Sequence, residues 1–114
     1  MAAFHGIQVY EILENGNLLN GIYTNTGLLN TKYDIDNEIA RKKKYDNEGV
    51  EGLYDCSYIE SNNNAVKHCD LKISKLNGKG VYKFTWIDQN NKPIWKGLGL
   101  IAGTTHIAVS YEDA

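Results

Sequence analysis

Along most of this chain apolar and polar residues alternate with the period of two expected of half-buried strands, and short polar pairs separate the alternating runs. The pairs Asn15-Gly16, Asn62-Asn63, Asn77-Gly78 and Asn90-Asn91 suit tight turns whose central residues adopt positive φ. The pattern predicts antiparallel hairpins. Each turn dictates which residues oppose one another, so the turns test whether one continuous inner face exists.

A turn at Asn15-Gly16 sets Ile12 against Leu19, Tyr10 against Gly21 and Gln8 against Tyr23. A turn at Asn62-Asn63 sets Cys56 against Cys69 and Tyr58 against Lys67. A turn at Asn77-Gly78 predicts Ile73 opposite Tyr82, Leu71 opposite Phe84 and Cys69 opposite Trp86. Through Asn90-Asn91, Trp86 opposes Trp95, Phe84 opposes Gly97 and Tyr82 opposes Gly99. A loop at Ala102-Gly103-Thr104 then predicts Ile107 against Gly99, Val109 against Gly97 and Tyr111 against Trp95. One face is aromatic and apolar throughout, and the other carries Asp70, Lys72, Lys83 and Lys96.

Glycines recur opposite bulky rings, as where a closed sheet bends and a ring covers exposed backbone. Leu29, Thr31, Tyr33 and Ile35 alternate like a strand. Residues 36–44 read as strand or as a short capped helix; strand is preferred, because each strand of a barrel needs neighbours and two strands over 28–47 bring the count to about eight. The expected fold is all-β: one domain over residues 1–114, an up-and-down antiparallel barrel of about eight strands, with a β-sandwich as its rival.

Composition narrows the function classes. The formal net charge of −2 supplies no positive field for nucleic acid or anionic lipid. Met1-Ala2-Ala3-Phe4-His5 lacks a basic stretch leading into an apolar run, and no segment is long and apolar enough to span a bilayer as a helix. A soluble protein without nucleic-acid or membrane partners is expected, in a compartment left open.

Catalytic and metal chemistry find little support. His5, His68 and His106 are far apart and lack the spacing of a zinc site, so neither metal nor cofactor is expected. Cys56 and Cys69, facing each other, suit a cross-strand disulfide or two small buried thiols. Arg41-Lys42-Lys43-Lys44 reads as a solvated outer face, its field cancelled by Asp34, Asp36, Glu38, Asp46, Glu48 and Glu51. No nucleophile elbow, phosphate loop or dinucleotide fingerprint occurs, and the expectation is that the chain is not an enzyme.

What remains is the inner aromatic set, which includes Tyr10, Trp86, Trp95 and Tyr111. It reads either as a filled core or as the wall of a pocket whose hydroxyl and indole groups serve a ligand. The hairpin from Asn15 to Thr24, with Gly21-Ile22-Tyr23, and the segment from Tyr82 to Gly103, with Trp86 and Ile94-Trp95-Lys96-Gly97, resemble the corresponding strands of avidin and streptavidin. The stretch from Gly80 to Tyr111 is also similar to uncharacterised bacterial domains expected to share that calycin-type barrel. The resemblance implies an eight-stranded barrel with a small organic ligand at one open end. Tyr23 matches the family's ligand-facing tyrosine, Asn25 the polar residue two positions on, and Trp86 and Trp95 its ring-stacking tryptophans. Ile7 to Leu13 on the first strand offers only Gln8 inward, and Thr105 to Ser110 on the last strand has no carboxylate, which points away from biotin.

The expectation is therefore a non-catalytic barrel binding a small, partly apolar molecule through Tyr10, Tyr23, Asn25, Trp86, Trp95 and Tyr111. The alternative is an interaction domain with a filled core that forms a homodimer through an outer face bearing Val9, Ile22, Leu98 and Leu100.

Overall fold

The alternating runs become eight antiparallel strands in the computed structural model, which describes residues 4–76 and 80–114. They are β1 (His5–Leu13), β2 (Leu18–Asn25), β3 (Asp36–Lys42), β4 (Gly52–Glu60), β5 (Ala65–Leu76), β6 (Val81–Ile87), β7 (Pro93–Ala102) and β8 (His106–Asp113). Each pairs with the next, and β8 pairs back onto β1, so the sheet is a closed up-and-down barrel rather than a sandwich. Closure leaves no unpaired strand edge. Among the described residues no helix is long and apolar enough to cross a membrane.

The inner face assembles as the alternation requires. Tyr10, Leu19, Tyr54, Leu71, Phe84 and Ile107 are completely buried. Asparagine supplies a left-handed residue to three of the turns, with φ of 57° at Asn15, 50° at Asn64 and 62° at Asn91, and Glu14 beside Asn15 is a fourth non-glycine at 51°. The registers expected around Asn15-Gly16, Asn62-Asn63 and Asn90-Asn91 are those observed, including Tyr10 with Gly21, Cys56 with Cys69 and Trp86 with Trp95.

Two expected registers are displaced by two residues. Across β5 and β6, Leu71 pairs with Trp86 and Ile73 with Phe84, because Leu76 meets Val81 and four residues, not two, separate the strands. The expected turn at Asn77-Gly78 lies outside the described residues. Across β7 and β8, Gly97 pairs with Tyr111 and Gly99 with Val109, because Ala102 still belongs to the ladder, opposite His106. A slip of two keeps every side chain on its face, so both errors leave the core intact.

The segment after β2 needs a larger correction. Leu29 to Ile35 is not a strand: Leu28–Asn30 forms a single 3-10 turn, and Leu29 and Ile35 are exposed. Only one strand, β3, occupies residues 28–47, and eight strands are reached without a second.

β3 also overturns the reading of its charges. Asp36, Glu38, Ala40 and Lys42 face inward, while Asn37, Ile39 and Arg41 face out. Asp36, Glu38 and Lys42 are buried, so they belong neither to a solvated face nor to a surface field. Arg41 and Lys43 remain outside, Lys43 lying 3.0 Å from Asp70 and 3.4 Å from Asp55.

Lys42 helps to close the barrel at the end where β3 runs into β4. Its ammonium reaches Asp46 at 2.5 Å and the Gly49 carbonyl at 2.7 Å, and the Tyr54 hydroxyl lies 2.6 and 2.7 Å from the carbonyls of Gly16 and Val50, which share its one proton. Lys42→Met keeps the stem but strands the Gly49 carbonyl. It is expected to cost about 1.5–3 kcal/mol, the worth of a hydrogen bond to a charged group, read as a lower urea midpoint. An unchanged midpoint would mean that Lys42 is solvated in solution.

Candidate functional site: a cavity at the open end

At the opposite end the barrel interior is not filled. A cavity of about 50 Å³ opens there, lined by Gln8, Tyr23, Asn25, Glu38, Tyr58 and Glu60, with Trp86, Trp95 and Tyr111 completing the wall. A water needs on the order of 10–15 Å³ by the same measure, so the space holds a few waters or a small organic group. Trp86 is buried behind Tyr111 at a centroid distance of 5.5 Å, and Trp95 packs edge-on against Tyr58 at 5.4 Å.

The registers explain why these residues meet. Gln8 opposes Tyr23 across β1 and β2, Glu38 opposes Tyr58 across β3 and β4, and Trp86 opposes Trp95 across β6 and β7. Of the side chains expected from sequence, Tyr23, Asn25, Trp86, Trp95 and Tyr111 line the cavity. Tyr10 does not: it is completely buried below, stacked on Phe84 with centroids 6.0 Å apart, and reaches the site only through Glu38.

Glu38 is the residue that sequence reasoning missed. Tyr10 and the Trp86 indole both donate to its Oε2, the latter at 3.3 Å, while Oε1 accepts neither bond. Burial drives the Glu38 carboxyl above the ordinary glutamate range; the donors around it, Tyr10, Cys56, Gln8 and Trp86, pull the other way without cancelling that effect. The signal available in the sequence was parity: Glu38 shares its face with Ala40, an inward position only if β3 runs as a strand beside β2.

Gln8 is 3% exposed, and among the described residues its Nε2 and Thr24 Oγ1 are the buried side-chain polar atoms without a hydrogen-bond partner. The amide lies near enough to Glu38 to favour its charged form, yet Nε2 closes no hydrogen bond of ordinary geometry. An unpaired buried donor costs about 1–3 kcal/mol. The side chain that carries this donor also lines the cavity, where an acceptor from outside could meet it.

The Tyr23 and Tyr111 hydroxyls are engaged within the wall. Tyr23 donates to the Ile59 carbonyl, and Tyr111 donates to the Thr24 carbonyl at 3.2 Å while accepting from Asn25 at 3.2 Å. Asp36 accepts from the backbone and hydroxyl of Ser61, which ties the start of β3 to the end of β4. Burial raises the phenols of Tyr10, Tyr23 and Tyr58 and pushes Tyr111 up to about 12. They stay neutral near pH 7 and act as donors, not as bases.

Cys56 and Cys69 are free thiols, buried and paired across β4 and β5. The Cys69 sulfur beside it, together with burial, pushes the Cys56 thiol up, which removes the thiolate a nucleophile needs.

Gly6 shapes one wall. A Cβ there would lie 2.1 Å from Tyr111 Cζ and 2.5 Å from its hydroxyl oxygen. Gly6→Ala is expected to swing Tyr111 off Thr24 and Asn25, cost about 1–3 kcal/mol as overpacking does, and shift Trp86 emission. An unchanged melting temperature together with an unchanged spectrum would refute this packing.

Fold and site together define a class: a closed eight-stranded antiparallel barrel, sealed at one end and carrying at the other an aromatic cavity floored by a buried carboxyl. Compared with family models, curated proteins and solved structures, the chain gives no match to any of them.

Proposed function

We propose that this protein is a non-catalytic barrel that holds a small, partly apolar molecule in its open-end cavity. The observation that carries the reading is the unpartnered, buried Gln8 Nε2 beside Glu38 at an opening walled by five aromatic rings. A core built only for stability would leave neither an idle amide donor nor a buried acid, since each lowers stability unless something else meets it. Ligand pockets characteristically combine apolar walls with a few such polar groups. A likeness to the avidin and streptavidin barrels is supported by Tyr23, Trp86 and Trp95 lining one open end, but Gln8 as the inward polar residue of the first strand speaks against biotin.

Tryptophan fluorescence measured against a panel of small metabolites tests the reading. Trp95 is half-buried at the mouth and Trp86 buried behind it, so a bound compound shifts or quenches emission saturably. No saturable change across the panel would reject the proposal.

A second reading, self-association, has its own observation. On the outer face Ile22, Val9, Ala108 and Leu100 are cross-strand neighbours, with Ile7, Ser110 and Leu98 one step along. Ile7, Val9, Ile22, Leu98 and Leu100 are all exposed, forming an apolar strip across four strands. Sedimentation is expected to give a dimer mass that Leu98→Glu returns to monomer; monomer mass at high concentration would reject this reading.

A further inference from the structure

The chemistry of the cavity wall narrows what it takes. Among the described residues its lining includes two acidic side chains, Glu38 on the floor and Glu60 at the rim, and no lysine, arginine or histidine. Asp36 lies near enough to raise the Tyr23 phenol, so a third acid adds to the negative potential at this end. An anionic ligand would meet that charge at the lining itself; Lys67, opposite Tyr58 across β4 and β5, lies outside the lining. The positive groups nearest in sequence are engaged elsewhere: Lys42 is tied to Asp46 at the opposite end, and Arg41 faces outward toward Glu14 at 3.7 Å.

The rest of the wall is aromatic. Tyr23, Tyr58, Trp86, Trp95 and Tyr111 surround the opening, and ring faces attract a desolvated cation by about 2 kcal/mol or more in favourable cases. Metal binding is disfavoured, because no group of three or more histidine, cysteine, aspartate or glutamate side chains among the described residues could hold an ion. Glu38 Oε1 accepts from neither Tyr10 nor Trp86, with Cys56 and Gln8 the other donors beside the carboxyl, and Gln8 Nε2 is a buried donor without a hydrogen-bond partner.

Resting on the reading of this end as a ligand site, we propose that the cavity recognises a small organic cation, an alkylammonium group bearing a nearby hydroxyl or carbonyl oxygen. The ammonium sits against Glu38 within the aromatic wall, and the oxygen accepts from Gln8. The cation restores charge to the buried acid, and the oxygen supplies the partner the amide lacks. Neither contact alone accounts for both groups.

Matched probes test the charge directly. Ethanolammonium and choline are titrated calorimetrically against the whole protein beside their neutral counterparts, propanol and dimethylbutanol, which share size and hydroxyl but lack the charge. At least one cation is expected to bind about tenfold or more tightly than its neutral twin, the difference a desolvated cation–π contact with a carboxylate supports. Glu38→Gln, which keeps shape and folds at least as stably, is expected to erase that preference. Phe substituted at Tyr58, which keeps the ring, is expected to retain it. Equal binding of cation and neutral twin, or a metabolite-panel ligand that is neutral while both cations fail, overturns the inference and leaves the ligand site standing. Failure of every cation and every panel compound overturns both.

Discussion

Trp86→Ala is expected to cost about 3–5 kcal/mol, the range for truncating a buried aromatic side chain. For a domain of this size that lowers Tm by more than about 10 °C. Trp86 is 2% exposed, its ring lies 5.7 Å from Phe84 and 5.5 Å from Tyr111, and its indole donates to Glu38. Truncation therefore opens a void between two rings and also removes a donor from a buried acid. Trp86→Phe keeps most of the packing and loses only the donor, so it is expected to fall between wild type and alanine. Thermal melts followed by near-ultraviolet circular dichroism rank the three. A wild-type Tm in Trp86→Ala would mean that this ring is not part of the core.

The second large effect is a pH dependence confined to one residue. With its carboxyl raised by burial, folded Glu38 holds its proton to higher pH than the same residue in the unfolded chain, whose value is about 4.3. Below that value both states are protonated and the residue carries no penalty. As pH rises past it the unfolded chain ionises first, so stability falls until the folded carboxyl has ionised too. Glu38→Gln carries no such group, while Gln can still accept from Tyr10 and Trp86. The variant is expected to match wild type near pH 4 and to melt at a higher temperature at pH 8. Other groups facing this site, including Tyr23, Asp36, Tyr58, Glu60 and Tyr111, are the same in both proteins and cancel in the difference. A gap that stays constant with pH, or one that favours wild type at pH 8, would contradict a raised Glu38.

Much of the architecture was legible because alternation and turn chemistry are local signals. Asparagine and glycine pairs marked three of the hairpins to the residue, and parity placed Tyr10, Phe84, Trp86 and Tyr111 inside. Loop length is less local: the Asn77-Gly78 dipeptide and the Ala102-Gly103-Thr104 loop each implied a register that slipped by two without changing face.

β3 was the element the sequence concealed, and it carries the floor of the site. Its inward positions are Asp36, Glu38, Ala40 and Lys42, and its outward ones include the exposed Ile39, so hydrophobicity read alone turns the strand inside out. Those charges are tolerated because the barrel supplies partners that are remote in sequence: Ser61 for Asp36, Tyr10 and Trp86 for Glu38, and the Gly49 carbonyl for Lys42. Among the described residues neither inward acid of β3 has a countercharge, and Glu38 is the one that lines the opening.

A single spectrum reaches the heart of this account. The nitrogen-resolved side-chain signals of the Gln8 amide and the Trp86 indole, which belong to different strands and meet only at the cavity, are recorded with a saturating amount of whichever compound most changes tryptophan emission. The expected result is that both signals move together along one binding curve. If both stay fixed while backbone signals from Val9, Ile22, Leu98 and Leu100 move, the compound sits on the outer face, and the open end is not where this barrel binds.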